Sequence, residues 1–128
     1  MGRIYVEFVN GRAYRCKCCG CHLATVDELL SKQFHSKNGR AYLFNVVVNV
    51  SAGPREKRLM TTGAHMVRDI FCVGCMFPVG WKYEEAYERA QKYKEGKFIL
   101  ERSKLDVDSN ASRFFEVLQD SDCENVCP

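Results

Sequence analysis

Four cysteines crowd into the run Cys16-Lys17-Cys18-Cys19-Gly20-Cys21-His22, and two more stand in Cys72-Val73-Gly74-Cys75. The first run holds two overlapping CxxC pairs, Cys16/Cys19 and Cys18/Cys21. CxxC pairs far apart in a chain have the spacing of a tetrahedral zinc site. Each pair is a tight turn that offers two sulfurs on one side, and four thiolates close a shell at about 2.3 Å from the metal. With every position filled by protein, such a shell has no vacancy for substrate and is structural rather than catalytic.

Position decides which pair of the first run is used. Cys16 and Cys72 each end a strand-like run, Ala13-Tyr14-Arg15 and Asp69-Ile70-Phe71. Gly20 after Cys19 permits a tight turn and lets backbone N–H groups approach the sulfur. His22-Leu23 after Cys21 offers no such freedom. The predicted ligands of one Zn2+ are therefore Cys16, Cys19, Cys72 and Cys75. Residues 20–71 lie between the pairs, and metal binding must offset the entropy of closing that loop. Cys18 and Cys21 are extra to this set, and Cys123 and Cys127 are expected to be free thiols. Arg15 and Lys17 soften the negative charge of a tetrathiolate centre.

The elements that must hold these turns are short strands. The chain has 128 residues, 46% of them hydrophobic and 27% charged, enough for one core and too few for two domains. Strands are predicted over Arg3–Val9, Gln33–Ser36, Ala41–Phe44, Asn45–Val50, Lys57–Thr61, His65–Phe71, Val79–Tyr83 and Phe98–Arg102. Turns are predicted at Asn10-Gly11, Asn38-Gly39, Ser51-Ala52-Gly53-Pro54 and Thr62-Gly63. One helix is predicted over Glu84–Tyr93. Ala86, Ala90 and Tyr93 share a face there, Glu88/Lys92 is an i, i+4 pair, and Gly96 is a cap. The fold class is mainly β with antiparallel sheets and one short helix.

Charge divides the chain. Residues 1–105 carry 18 Lys/Arg and 10 Asp/Glu, a balance of +8, and residues 106–128 carry one Arg and six Asp/Glu, a balance of −5. The expectation is a zinc-binding domain over 1–105 and an acidic, disordered tail over 106–128. The apolar runs are strand-sized, so no membrane span is expected. Met1–Val6 lacks a signal peptide's apolar core, which points to a reducing, intracellular compartment, where eight cysteines favour metal over disulfides.

Cys16-x-x-Cys19, His22-Leu23-Ala24, Gly39-Arg40-Ala41-Tyr42-Leu43-Phe44, Val48-Asn49-Val50, Thr62-Gly63-x-His65, Gly80-Trp81-Lys82-Tyr83-Glu84 and Gln91-Lys92-Tyr93-Lys94-Glu95-Gly96-Lys97 together resemble the Yippee family over residues 3–105. The resemblance supports Cys16/Cys19 as the first pair, because His22-Leu23-Ala24 fixes the register. It implies a β-tent fold, two antiparallel sheets pinned by one structural zinc. It also implies an intracellular protein of nucleus or cytoplasm without enzymatic activity. The implied partners are other proteins, with ubiquitin-ligase or cell-division assemblies as examples.

Three further groups carry weaker signals. Trp81, the chain's single tryptophan, can form an aromatic pocket for a small molecule with His65 and Tyr83. Arg89, Lys92, Tyr93 and Lys94 make the densest basic and aromatic patch, of the kind that stacks on bases and meets phosphates, although a nucleic-acid partner is not expected. Cys18 or Cys21 beside a zinc centre can act as a redox thiol, the third reading after protein binding and ligand binding. No Ser/His/Asp triad or carboxylate pair is recognisable, and no catalytic residue is predicted.

Overall fold

Period-two burial organises the chain. In the computed structural model, which describes residues 12–107, Ala41 and Leu43 face one apolar cluster while Tyr42 and Phe44, between and after them, face another. Ile99 and Leu100 divide in the same way. Successive side chains on a strand point to opposite faces, so a strand with apolar residues at consecutive positions must be covered on both sides.

The coverage comes from two antiparallel sheets. The described strands are β1 (Ala13–Cys16), β2 (His22–Thr25), β3 (Leu29–Ser36), β4 (Gly39–Phe44), β5 (Val50–Met60), β6 (Gly63–Cys72), β7 (Pro78–Ala86), β8 (Phe98–Glu101) and β9 (Leu105–Val107). The small sheet has the order β2-β1-β9, the large one β3-β4-β8-β7-β6-β5. Tyr14 of β1 stands edge-on to Tyr42 and Phe44 of β4, with ring centroids 6.0 and 5.2 Å away. Those contacts, with Leu23, Ile70, Val79, Leu100 and Leu105, fill the space between the sheets. On its other face the large sheet carries Leu43, Val67, Tyr83 and Ile99 with Phe34, Met60 and Trp81 against them. The expected mainly β architecture of two antiparallel sheets is present.

Several predicted elements differ. The segment expected as a helix over 84–93 is divided: β7 runs on to Ala86, which pairs with His65 of β6, and a 3-10 helix spans Arg89–Lys94. The sheet partner overrides helical spacing, since β6 leaves its edge open up to Gly63. The expected Glu88/Lys92 pair does not form; Lys92 meets Glu95 at 3.3 Å. Gly96 does take the positive φ of a cap, +81°. Asn45–Val50, read as a buried strand, is a loop up to Val50. Asn49 sits there at φ 61°, a left-handed conformation that ends strand geometry. Ser51–Pro54, read as a turn, lies inside β5, with an irregularity between Ala52 and Arg55. Pro54 is tolerated because β5 is an edge strand. The predicted strand over Arg3–Val9, the Asn10-Gly11 turn and residues 108–128 of the acidic tail fall outside the described residues. Asp106 and Val107, assigned by charge to the tail, belong to β9 and pair with Arg15 and Tyr14.

Candidate metal centre

Cys16 is the last residue of β1 and Cys72 the last residue of β6, so each sheet delivers one CxxC turn. The two turns are built alike. The N–H of Gly20 donates to the Cys16 carbonyl at 2.8 Å, and that of Met76 to the Cys72 carbonyl at 2.6 Å. The N–H of Cys16 donates to the Cys21 carbonyl at 2.8 Å, and that of Cys72 to the Phe77 carbonyl at 3.0 Å. Both turns close through a left-handed residue, Gly20 at φ 79° and Met76 at φ 63°.

The turns meet sulfur to sulfur. The Sγ atoms of Cys16, Cys19, Cys72 and Cys75 all lie within 4.8 Å of one another. Cys19 Sγ is 3.4 Å from Cys72 Sγ, and Cys16 Sγ is 3.7 Å from Cys75 Sγ. Zn–S bonds of about 2.3 Å give sulfur–sulfur edges of about 3.8 Å in a regular tetrahedron. The cluster therefore has the dimensions of a tetrathiolate zinc shell. The Gly74 N–H points at Cys72 Sγ from 3.3 Å. Gly74 has no room for a side chain: a Cβ there would stand 2.8 Å from Cys19 Sγ.

The electrostatics of the cluster without metal are those of a set that cannot all ionise. Hydrogen bonds from Cys16, with smaller contributions from Cys19 and the backbone N–H groups of Cys75 and Gly74, hold the Cys72 thiol down at about 5, against the pull of burial. The hydrogen bond to Cys72 and burial push Cys16 up. Burial pushes Cys19 up to about 12 and Cys21 to about 11. A divalent cation at the centre supplies the positive charge that lets the remaining thiols ionise.

Cys21 lies beside the cluster, half-buried and outside the set of four. One residue that spacing did not mark helps to align the turns. The Asn49 side-chain amide donates to the His22 carbonyl at 2.6 Å, and its own carbonyl accepts from the Val73 N–H at 2.9 Å. Asn49 thus straps the first turn to the second. The readiness of asparagine to adopt positive φ was the available signal.

The other predicted residues separate. Trp81 and Tyr83 line a groove of about 1380 Å3 on the large sheet, their rings edge-to-face with centroids 6.3 Å apart. His65 is fully buried behind Tyr83 at 5.2 Å and does not line the groove. Its Nδ1 binds the Gly63 carbonyl at 2.9 Å, Nε2 has no hydrogen-bond partner, and burial lowers its pKa. The basic patch does not form one surface: Arg89, Lys92 and Tyr93 are exposed, whereas Lys94 turns inward and is 3% exposed.

Two antiparallel sheets joined at their apex by a four-cysteine cluster define a zinc-knuckle β protein. The family described as "Yippee zinc-binding/DNA-binding /Mis18, centromere assembly" matches residues 13–113. A yippee-like protein of Arabidopsis thaliana is 58% identical over 105 residues, 82% of this chain and 81% of that protein. Protein yippee-like 4 of Homo sapiens is 57% identical over 98 residues, 77% of each chain. The crystal structure of the Mis18 "Yippee-like" domain superposes with a TM-score of 0.61 at 12% identity, covering 77% of this chain and 95% of that one. The chain belongs to the Yippee family, and its cysteine cluster is that of a zinc-binding member.

Proposed function

We propose that this protein is a non-enzymatic protein-interaction module whose single zinc, held by Cys16, Cys19, Cys72 and Cys75, is structural. The observation that carries the reading is the cluster itself. Four thiols converge from the ends of two different sheets, and four protein donors fill a tetrahedron. Metal there fastens the sheets and leaves no position for a reacting group. What the zinc supplies is the rigidity of a two-sheet platform, and the activity is presentation of a surface to other proteins. Assemblies of cell division and ubiquitin ligation are the partners proposed, in nucleus or cytoplasm. The description of the family, which joins Mis18 and centromere assembly to Yippee, supports the first of these.

The test is affinity purification of the intact chain from its own cells beside Cys72→Ser. The expected result is stoichiometric zinc and specific partners for the wild type, and loss of zinc, cooperative melting and partners for Cys72→Ser. Cys21→Ser is expected to keep all three. A Cys72→Ser protein that retains zinc and a cooperative melt contradicts the metal assignment. Turnover of methionine sulfoxide with dithiothreitol contradicts the non-enzymatic reading. Salt-dependent DNA or RNA retardation in a gel would replace the protein partner by a nucleic acid.

A further inference from the structure

Lys94 is a buried charge that the metal centre does not use. It lies in the 3-10 segment after β7 and is 3% exposed. Its ammonium stands 5.2 Å from the Phe34 ring centroid and 5.3 Å from that of Tyr83. It donates to Thr62 Oγ1 at 3.1 Å. It is in none of the ion pairs among the described residues. Burying an ammonium without a counter-charge is costly, and aromatic faces recover only part of that cost. A lysine held this way has donors to spare, since its ammonium carries three.

Lys94 lines the same groove as Trp81 and Tyr83. The carboxylates lining that groove are already engaged. Arg58 takes both Glu56 and Asp69, and Glu101 accepts from Ser36 Oγ at 3.3 Å and Asn38 Nδ2 at 2.9 Å. Apolar surface gathers at the rim, where Leu59 is 87% exposed and Tyr93 58%. At about 1380 Å3 the groove exceeds the roughly 300–1,000 Å3 that suits one small ligand, which leaves room for a segment of chain.

We propose that this groove receives an extended acidic segment of a partner protein, with an aspartate or glutamate carboxylate on the Lys94 ammonium and neighbouring apolar side chains over Trp81, Tyr93 and Leu59. The inference rests on the protein-interaction reading and names the chemistry of the partner. The carboxylate completes the counter-charge that the described residues do not supply, and close charge pairs at some interfaces are net favourable.

The experiment selects random displayed peptides on the zinc-loaded full chain. Binding of a selected peptide is then read from Trp81 fluorescence. The expected consensus has an acidic position flanked by aliphatic or aromatic residues. A twin peptide with asparagine or glutamine at the acidic position is expected to bind at least about tenfold more weakly. Lys94→Met is expected to melt no lower than wild type, because an apolar chain of similar size replaces a costly charge, and to bind both twins alike. Equal affinity of the twins for the wild type overturns the proposal, and that comparison does not depend on how any variant folds. A consensus without an acidic position overturns it and leaves the interaction module standing. Failure to select any peptide, while the same chain still captures partners from its cells, overturns it too.

Discussion

Met76 and Gly20 occupy equivalent places in the two CxxC turns, yet only one is glycine. Both hold left-handed backbone, at φ 63° and 79°. That conformation costs an L-residue about 1–2 kcal/mol, and glycine's extra freedom when unfolded returns about 0.5–1 kcal/mol of the gain. Met76 is 57% exposed, so little packing is lost on removing it. Met76→Gly is expected to stabilise the protein by about 0.5–1 kcal/mol in denaturant melts. Gly74→Ala is expected to act in the opposite direction, because its Cβ would meet Cys19 Sγ at 2.8 Å and Cys72 Sγ at 3.6 Å. Overpacking costs typically about 1–3 kcal/mol, which is about five- to 150-fold in zinc affinity. Competition with a chromophoric chelator measures it.

At the scale of elements, the large sheet depends on the close approach of β7 and β8. Gly80 pairs with both Ile70 and Leu100, and a Cβ on it would fall 1.8 Å from the Ile99 carbonyl oxygen. Backbone cannot yield as a side-chain tip can. Gly80→Ala is expected to part the strands and lower stability by about 3 kcal/mol or more. Gly53→Ala, whose Cβ would meet Phe71 Cε1 at 3.4 Å, is expected to cost less than about 1 kcal/mol. Thermal melts followed by circular dichroism compare the pair. The same register explains why the helical spacing of residues 84–93 misled. Ala86 has a partner in His65, and the Tyr87 N–H reaches the Ala64 carbonyl at 3.2 Å, so pairing along β6 outweighs local propensity.

For the whole molecule, the proposed structural zinc makes binding and folding one expected equilibrium, because the four clustered thiols come from separate sheets. Without metal, Cys16 and Cys19 are pushed above the ordinary thiol range, Cys19 to about 12, whereas Cys72 is held at about 5. At neutral pH the first two carry protons that zinc must expel. Zinc affinity is therefore expected to rise with pH and to fall as the solution is acidified from neutrality. The protons of Cys16 and Cys19 are expected to be released on binding. Calorimetric titrations in buffers of different ionisation enthalpy count those protons, and a release that omits them contradicts the assignment. A strong chelator at neutral pH is expected to abolish the cooperative melt.

The two CxxC turns, the two hairpins and the antiparallel β class were legible in the sequence, although the hairpin loops are residues 37–38 and 61–62, one position before the expected Asn38-Gly39 and Thr62-Gly63, with each glycine opening the next strand. Each rests on contacts within a few residues: a turn's φ, a two-residue alternation, a ligand spacing. Gly20 marks where the first turn closes, and the structure gathers Cys16 and Cys19 with Cys72 and Cys75. The strand end at Ala86, the open loop before Val50, the strap made by Asn49 and the inward turn of Lys94 were not legible. Each is decided by a partner distant in the chain: β6 for Ala86, His22 and Val73 for Asn49, Phe34 and Thr62 for Lys94. Local pattern fixes what a residue can do, and only the packing of one sheet on another selects which of those things it does.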